Sequence, residues 1–243
     1  MHRFYCPDIA DTLTLGEEDS KHCVKVLRMS EGDSIDVVDG NGTLYNCRIT
    51  MAHPKRCAVE VLATERQLPH WGHQIVLGVA PTKNLDRMEW LAEKCVEMGI
   101  DRIIPLRCHN SERVVLKTER LKKIMVSAMK QSLKATLPQL DEMTPVEQVM
   151  AQSTAAIRCI AYCDEQLPRE QRRTLADVYR PGTDVMVLIG PEGDFSPQEV
   201  ASALDAGFVP VTLGESRLRT ETAGMMSVAA IHALDMMAKQ SKR

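Results

Sequence analysis

Two segments toward the C-terminal end restrict the folds open to this chain more than anything else in it: Leu188-Ile189-Gly190-Pro191-Glu192-Gly193-Asp194-Phe195 and Leu213-Gly214-Glu215-Ser216-Arg217-Leu218-Arg219-Thr220-Glu221-Thr222. Each follows an apolar strand-like run, and each opens a helix. A strand ending in glycine lets the backbone approach a ligand closely, and the start of the next helix presents N–H groups that have no intrahelical partner. The pair therefore predicts an α/β fold whose two loops share a small-molecule pocket. Turning alone would explain Gly190, Gly193 and Gly214, but the charges clustered at both turns exceed what a turn requires.

The residues around these turns extend the pattern. Ser196 is placed to cap a helix, Pro197 suits its first position, and Glu199 completes a capping box. That helix ends at Gly207, residues 209 to 213 form the last strand, and Ala223, Met226, Ala230, Ala233, Leu234 and Met237 then describe a long amphipathic terminal helix. A methionine-rich face suits a core or a subunit interface better than a cofactor contact.

Upstream, 75 to 79, 103 to 106, 157 to 162 and 185 to 189 read as buried strands. Between them, Leu85, Met88, Leu91 (or Ala92), Cys95 and Met98 share a face of a helix over 84 to 98 that Gly99 stops, and Leu121, Met125 and Ala128 point inward from a helix over 118 to 135. Such alternation predicts a mostly parallel sheet with helices on both faces. Residues 64 to 73, with Pro69, read as a linker, which divides the chain into domains 1–70 and 71–243. The first domain is strand-rich: Ser34-Ile35-Asp36-Val37-Val38, the turn Asp39-Gly40-Asn41-Gly42, and strands over 43 to 50 and 58 to 62 predict a small β-barrel. Only 17 to 29 breaks the pattern, with Val24 and Leu27 at helical spacing and His22, Lys25 and Arg28 interleaved as potential anion contacts.

Composition excludes several classes. No apolar run approaches the roughly 18 residues that span a bilayer, and no signal pattern opens the chain, so the expectation is a cytoplasmic protein with no membrane partner. Eight cysteines are scattered without a Cys-x-x-Cys pair, which predicts buried thiols and no metal site. A net charge of -3 argues against general polyanion binding, yet residues 102 to 134 hold nine lysines and arginines against Glu112 and Glu119 alone. That excess is either an electrostatic footprint for nucleic acid or a solvated helix face. The glycine turns lack a Walker Gly-Lys-Ser/Thr and a Gly-x-Gly-x-x-Gly, which disfavours triphosphates and dinucleotides and leaves a mononucleoside-like ligand, with Glu192 or Glu221 favouring positive charge on it.

Residues 188 to 196 (LIGPEGDFS) and 213 to 223 (LGESRLRTETA) resemble the signature pair of the RsmE family, SPOUT-superfamily enzymes that methylate N3 of a uridine in small-subunit (16S) ribosomal RNA. The resemblance covers nearly the whole chain. His22-x3-Val26-Leu27-Arg28-Met29 with Gly32-Asp33 and Asp39-Gly40 is similar to the family's PUA-like RNA-binding barrel, and Lys83 to Glu89, Glu97-Met98-Gly99, Ser111-Glu112-Arg113 and Gln131-Ser132 resemble its internal motifs. The family implies a deep trefoil knot, a rare exception to the rule that chains do not thread their own loops. It implies S-adenosyl-L-methionine held by Tyr162, Cys163, Leu188, Ile189, Gly190, Pro191, Glu192, Gly193, Leu213, Gly214, Leu218, Arg219, Thr220, Thr222 and Ala223. RNA would meet His22, Lys25, Arg28, Arg113, Lys130 and Gln131, on naked RNA or an assembled small subunit, and the family implies a homodimer with the terminal helix at its interface. The chain departs from the pattern in two places: Lys130-Gln131-Ser132-Leu133-Lys134 stands where relatives usually show Glu-Gln-Ser-Gly-Arg, and Glu215-Ser216 where Pro-Arg is common.

Methyl transfer from a sulfonium is an in-line displacement, so the protein must chiefly align acceptor and donor. Uracil N3 becomes nucleophilic only when its proton leaves and charge spreads onto O2 and O4. The expected catalytic pair is Arg219, stabilising that charge, and Glu221, or a water it positions, accepting the proton. Three other functions fit part of the pattern: a non-catalytic RNA-binding protein, an adenine-nucleotide-dependent enzyme, and a methyltransferase of another RNA.

Overall fold

A turn built by Asp39 organises the first part of the chain. Its Oδ1 accepts the N–H groups of Asn41 (2.7 Å) and Thr43 (3.0 Å), and Gly40 and Gly42 take φ of 80° and 92°, a region open to glycine at no steric cost. The computed structural model describes residues 2–162 and 172–241, and it divides into one unit of Met1–His70 with Val126–Leu137 and another of Trp71–Met125 with Pro138–Arg243.

In the first unit, β1 (Arg3–Tyr5) runs parallel to β2 (Ser34–Val38), which pairs antiparallel with β3 (Thr43–Met51), and β3 pairs likewise with β4 (Ala58–Arg66). Phe4, Ile35, Val37, Cys47, Ile49 and Val59 cluster with Ile9 of α1 (Ile9–Thr12). Burying each large side chain of this set contributes about 1.5–3 kcal/mol. The helix expected over 17 to 29 is cut short: α2 covers Glu17–Lys21, and His22–Val26 widen into a π-type turn in which the Leu27 N–H reaches the His22 carbonyl. One extra residue per turn lets Cys23 enter the core while Lys25 stays in solvent.

The second unit is a parallel sheet in the order β11-β9-β10-β5-β6-β7, with β8 pairing β6. Its strands are β5 (Ile75–Val79), β6 (Arg102–Arg107), β7 (Gln139–Leu140), β8 (Thr144–Pro145), β9 (Ile157–Ala161), β10 (Val185–Ile189) and β11 (Val209–Val211). All five residues of the central β10 are buried, as a continuous apolar run covered on both faces demands. Met186 and Leu188 pack with Ile104, Leu106 and Ile160 beneath α5 (Val146–Gln152) and α7 (Pro197–Asp205). On the other face, α3 (Leu85–Met98) lies against α8 (Thr220–Gln240) so closely that a Cβ on Gly224 would stand 3.1 Å from Leu91 and 3.3 Å from Leu77. The α/β class, the parallel sheet and its two helical layers are as expected.

Helix α4 (Thr118–Gln131) ends four residues before the expected 135, because Leu133 turns left-handed (φ 55°) and the Lys134 N–H bonds back to the Met129 carbonyl. A short helix, α6 (Leu175–Val178), precedes Tyr179. Among the described residues no helix is long and apolar enough to cross a membrane, and the described cysteines, Cys6, Cys23, Cys47, Cys57, Cys95, Cys108 and Cys159, are buried free thiols.

Candidate functional site

In an open parallel sheet the carboxyl ends of neighbouring strands bring their loops together, and ligands bind there. The loop after β10 begins at the buried Gly190, whose missing side chain leaves room for the Phe195 ring; a Cβ would stand 3.1 Å from it. Pro191 accepts the Asp194 N–H at 2.9 Å, and Asp194 itself lies left-handed at φ 61° with its Oδ1 receiving the Phe195 N–H at 2.8 Å. Ser196 and Glu199 form the expected capping box, and the second oxygen of the buried Glu199 accepts the His109 N–H at 2.7 Å.

The second turn meets the first through one bond: the buried Thr220 hydroxyl donates to the Gly190 carbonyl at 3.1 Å. Gly214 sits at φ 121° with nothing within 4 Å of where a Cβ would be, so its backbone borders open space. Arg219 precedes α8 and is exposed; its carbonyl accepts the Ala223 N–H at 2.8 Å, and its side chain makes no hydrogen bond or ion pair among the described residues. Thr220, Glu221 and Thr222 occupy the first turn of α8, where backbone N–H groups lack helical acceptors. Glu221 is buried and faces Arg87 of α3, its Oε1 3.7 Å from the guanidinium, rather than Arg219.

The remaining expected cofactor contacts divide by burial. Leu188 and Ile189 are sealed in the sheet, so they could offer a ligand only backbone atoms, while Glu192 and Gly193 are exposed and Leu213, Leu218, Thr222 and Ala223 are half-buried. Pro191 is buried, and Tyr162 packs half-buried at the edge of the core under α7. Cys163 lies outside the described residues. Glu192 accepts the Lys83 N–H at 3.2 Å, which ties this loop to the one after β5.

Of the expected RNA contacts, His22, Lys25, Arg28 and Gln131 are exposed. Arg113 instead donates to the carbonyls of Thr82 (3.3 Å) and Lys83 (2.7 Å), and Lys130 pairs with Asp19 at 2.9 Å. The basic stretch is correspondingly weaker than its composition: Arg102 binds Asp141 and Arg120 binds Glu89. A cleft of about 320 Å³ opens beside Lys83, Glu112, Arg113, Val114 and Val115, next to the first loop. Sequence reading missed Asn110, Glu199 and Arg87 as site-building residues. Only Glu199, through its capping box, carried a local signal, since the partners of the other two lie 83 and more residues away. Burial, and then the nearby Glu199 carboxylate, push the Cys108 thiol above its ordinary range, which keeps it in the neutral form.

The family described as an RNA methyltransferase domain matches residues 69–232, and that described as an RNA methyltransferase PUA domain matches residues 15–62. A solved structure of a probable rRNA-methyltransferase from Porphyromonas gingivalis is 46% identical with a TM-score of 0.93, covering 98% of this chain and 100% of that one. A Ribosomal RNA small subunit methyltransferase E from Neisseria gonorrhoeae, bound to S-adenosyl methionine, is 28% identical with a TM-score of 0.82, covering 96% and 98%. The enzyme of the same name from Aquifex aeolicus is 27% identical over 95% of this chain and 98% of its own.

Proposed function

Because the chain belongs to the RNA methyltransferase family, we propose that it transfers a methyl group from S-adenosyl-L-methionine to small-subunit ribosomal RNA, at N3 of a uridine in 16S RNA. The observation that carries this reading is the Thr220–Gly190 bond, which joins two glycine turns at the carboxyl ends of a parallel sheet. The residues present fit such a donor: Gly214 borders open space, and the first turn of α8 directs unpaired N–H groups to the same end of the sheet.

The donor-holding set in this reading is Gly190 to Gly193, with Leu213, Gly214, Leu218 and the start of α8. Bound there, S-adenosyl-L-methionine supplies an electrophilic methyl on a sulfonium. The chain's own task is to place the acceptor nitrogen and manage its proton. Arg219, its side chain unpaired among the described residues and placed just before α8, stabilises the charge that spreads to O2 and O4 as N3 is deprotonated. Glu221 accepts that proton directly or through a water, which requires its pair with Arg87 to open when RNA enters.

The first unit, proposed as the PUA-like barrel, meets RNA phosphates through His22, Lys25 and Arg28, with the exposed Gln131 of the same unit as a further contact; Arg113 and Lys130 reach RNA only by leaving their present partners. The knot is proposed on a related ground: after edge strand β11 the chain returns to pack α8 against α3, β5 and β10. A homodimer and a cytoplasmic site of action complete the reading. Calorimetry with S-adenosylhomocysteine and mapping of methylated uridines in ribosomal RNA after reaction with the purified protein test it. No heat and no new N3-methyluridine would refute it.

A further inference from the structure

We infer that Asn110 is a positioning residue that holds the loop after β10 in its ligand-ready shape; this rests on the reading of that loop as the donor site. A single side-chain amide nitrogen, Nδ2 of Asn110, donates to the carbonyls of both Gly193 and Asp194, each at 3.1 Å. The Asn110 Cβ also fills the space that a side chain on residue 193 would need, 3.1 Å from an ideal Cβ there. Asn110 therefore sets the direction of two carbonyls and leaves little room for a side chain at 193.

The loop needs such a brace. Asp194 is held left-handed at φ 61°, which costs an L-residue about 1 kcal/mol and persists only where surroundings impose it. Its flanking bonds, Asp194 N–H to Pro191 and Phe195 N–H to the Asp194 carboxylate, are local to the loop and do not anchor it to the sheet. Earlier in the loop the Lys83 N–H holds Glu192 and the Thr220 hydroxyl holds Gly190; at residues 193 and 194 the segment after β6 adds its own hold, with Asn110 gripping both carbonyls and the preceding His109 N–H binding Glu199 at the base of the next helix. Both carbonyls are thereby turned toward Asn110, which fixes the course of the backbone at the end of the loop.

Asn110→Ala tests this, with Asn110→Ser as a second variant that keeps a donor and is expected to recover part of the effect. The expected result for Asn110→Ala is about tenfold weaker S-adenosylhomocysteine binding by calorimetry. The donor KM rises to match, while kcat at saturating donor and the RNA KM change less than twofold. Amide hydrogen exchange at 194 and 195 is expected to accelerate with or without ligand. Wild-type-like affinity together with unchanged exchange at these amides overturns the inference. Wild-type protein that binds no S-adenosylhomocysteine overturns the donor reading instead, and accelerated exchange in the variant then shows a brace that serves another ligand.

Discussion

Arg219 and Glu221 lie two residues apart and differ completely in circumstance. The Arg219 side chain is exposed without a partner among the described residues, whereas Glu221 is buried against Arg87. A guanidinium without a partner at the mouth of the proposed site is available to developing negative charge; a carboxylate held against another cation must first leave it to reach a substrate. Arg219→Ala should therefore lower the single-turnover methylation rate about 100-fold or more with S-adenosylhomocysteine affinity within threefold of wild type. An unchanged rate at saturating donor and RNA removes Arg219 from the chemistry. The sequence made both residues visible as charges in a glycine turn, and it could not say which was already occupied, because Arg87 is 134 positions distant from Glu221 along the chain.

At the scale of elements, helix ends were the most legible part of the chain where their chemistry is local. The capping box of Ser196 and Glu199 and the stop at Gly99 stand where the spacing puts them. The end of α4 does not, because the residue that terminates it is leucine. Leu133 adopts the left-handed conformation that glycine adopts without cost. Leu133→Gly is expected to stabilise the protein by about 0.5–1 kcal/mol, read as a higher midpoint in urea with an unchanged slope. A lower midpoint would mean that the exposed leucine packs against something the isolated chain lacks.

A buried trio joins α6 to α8: the Tyr179 hydroxyl donates to Asp235 at 2.8 Å and lies 2.9 Å from His73 Nε2, while the Gly182 N–H also reaches Asp235 at 2.9 Å. Burial first, and then the Asp235 carboxylate, push the Tyr179 phenol above its ordinary range. The folded protein thus keeps this proton at a pH where the unfolded chain loses it. The resulting stability is fully present below about pH 10 and is lost as pH rises beyond it toward the folded pKa. The stability gap between wild type and Tyr179→Phe should accordingly narrow above pH ~10 in denaturant titrations. A gap that stays constant to pH 11.5, on the order of one and a half units above the free phenol, would contradict the assignment.

For the molecule as a whole, α8 divides its side chains between a buried and an exposed side. Its buried side is Gly224, Ser227, Val228, Ile231 and Asp235, while Met226, Met236 and Met237 stand 43%, 60% and 63% exposed. The methionine stripe that the sequence marks as core or interface is therefore not core, which supports its use between two copies in the proposed homodimer. Met226→Glu with Met237→Glu should shift sedimentation toward monomer at micromolar concentration while leaving the far-ultraviolet spectrum intact. A pair of substitutions without effect on sedimentation would place any dimer contact elsewhere.

Periodicity, turn residues and capping signals determined the longer strands, helices α3, α4, α7 and α8, the parallel α/β class and the two glycine turns, since each of these depends on residues within about a turn of one another; the short elements β1, β7, β8, α1, α5 and α6 carry too few residues for a period to show. Tertiary structure alone decided how the charges and polar groups are used: Arg113 on the carbonyls of Thr82 and Lys83, Lys130 on Asp19, Asn110 on the loop after β10, and the inward side of α8. These outcomes turn on which distant groups share a hydrogen-bonding distance. Chain topology sets that distance, and local composition carries no record of it.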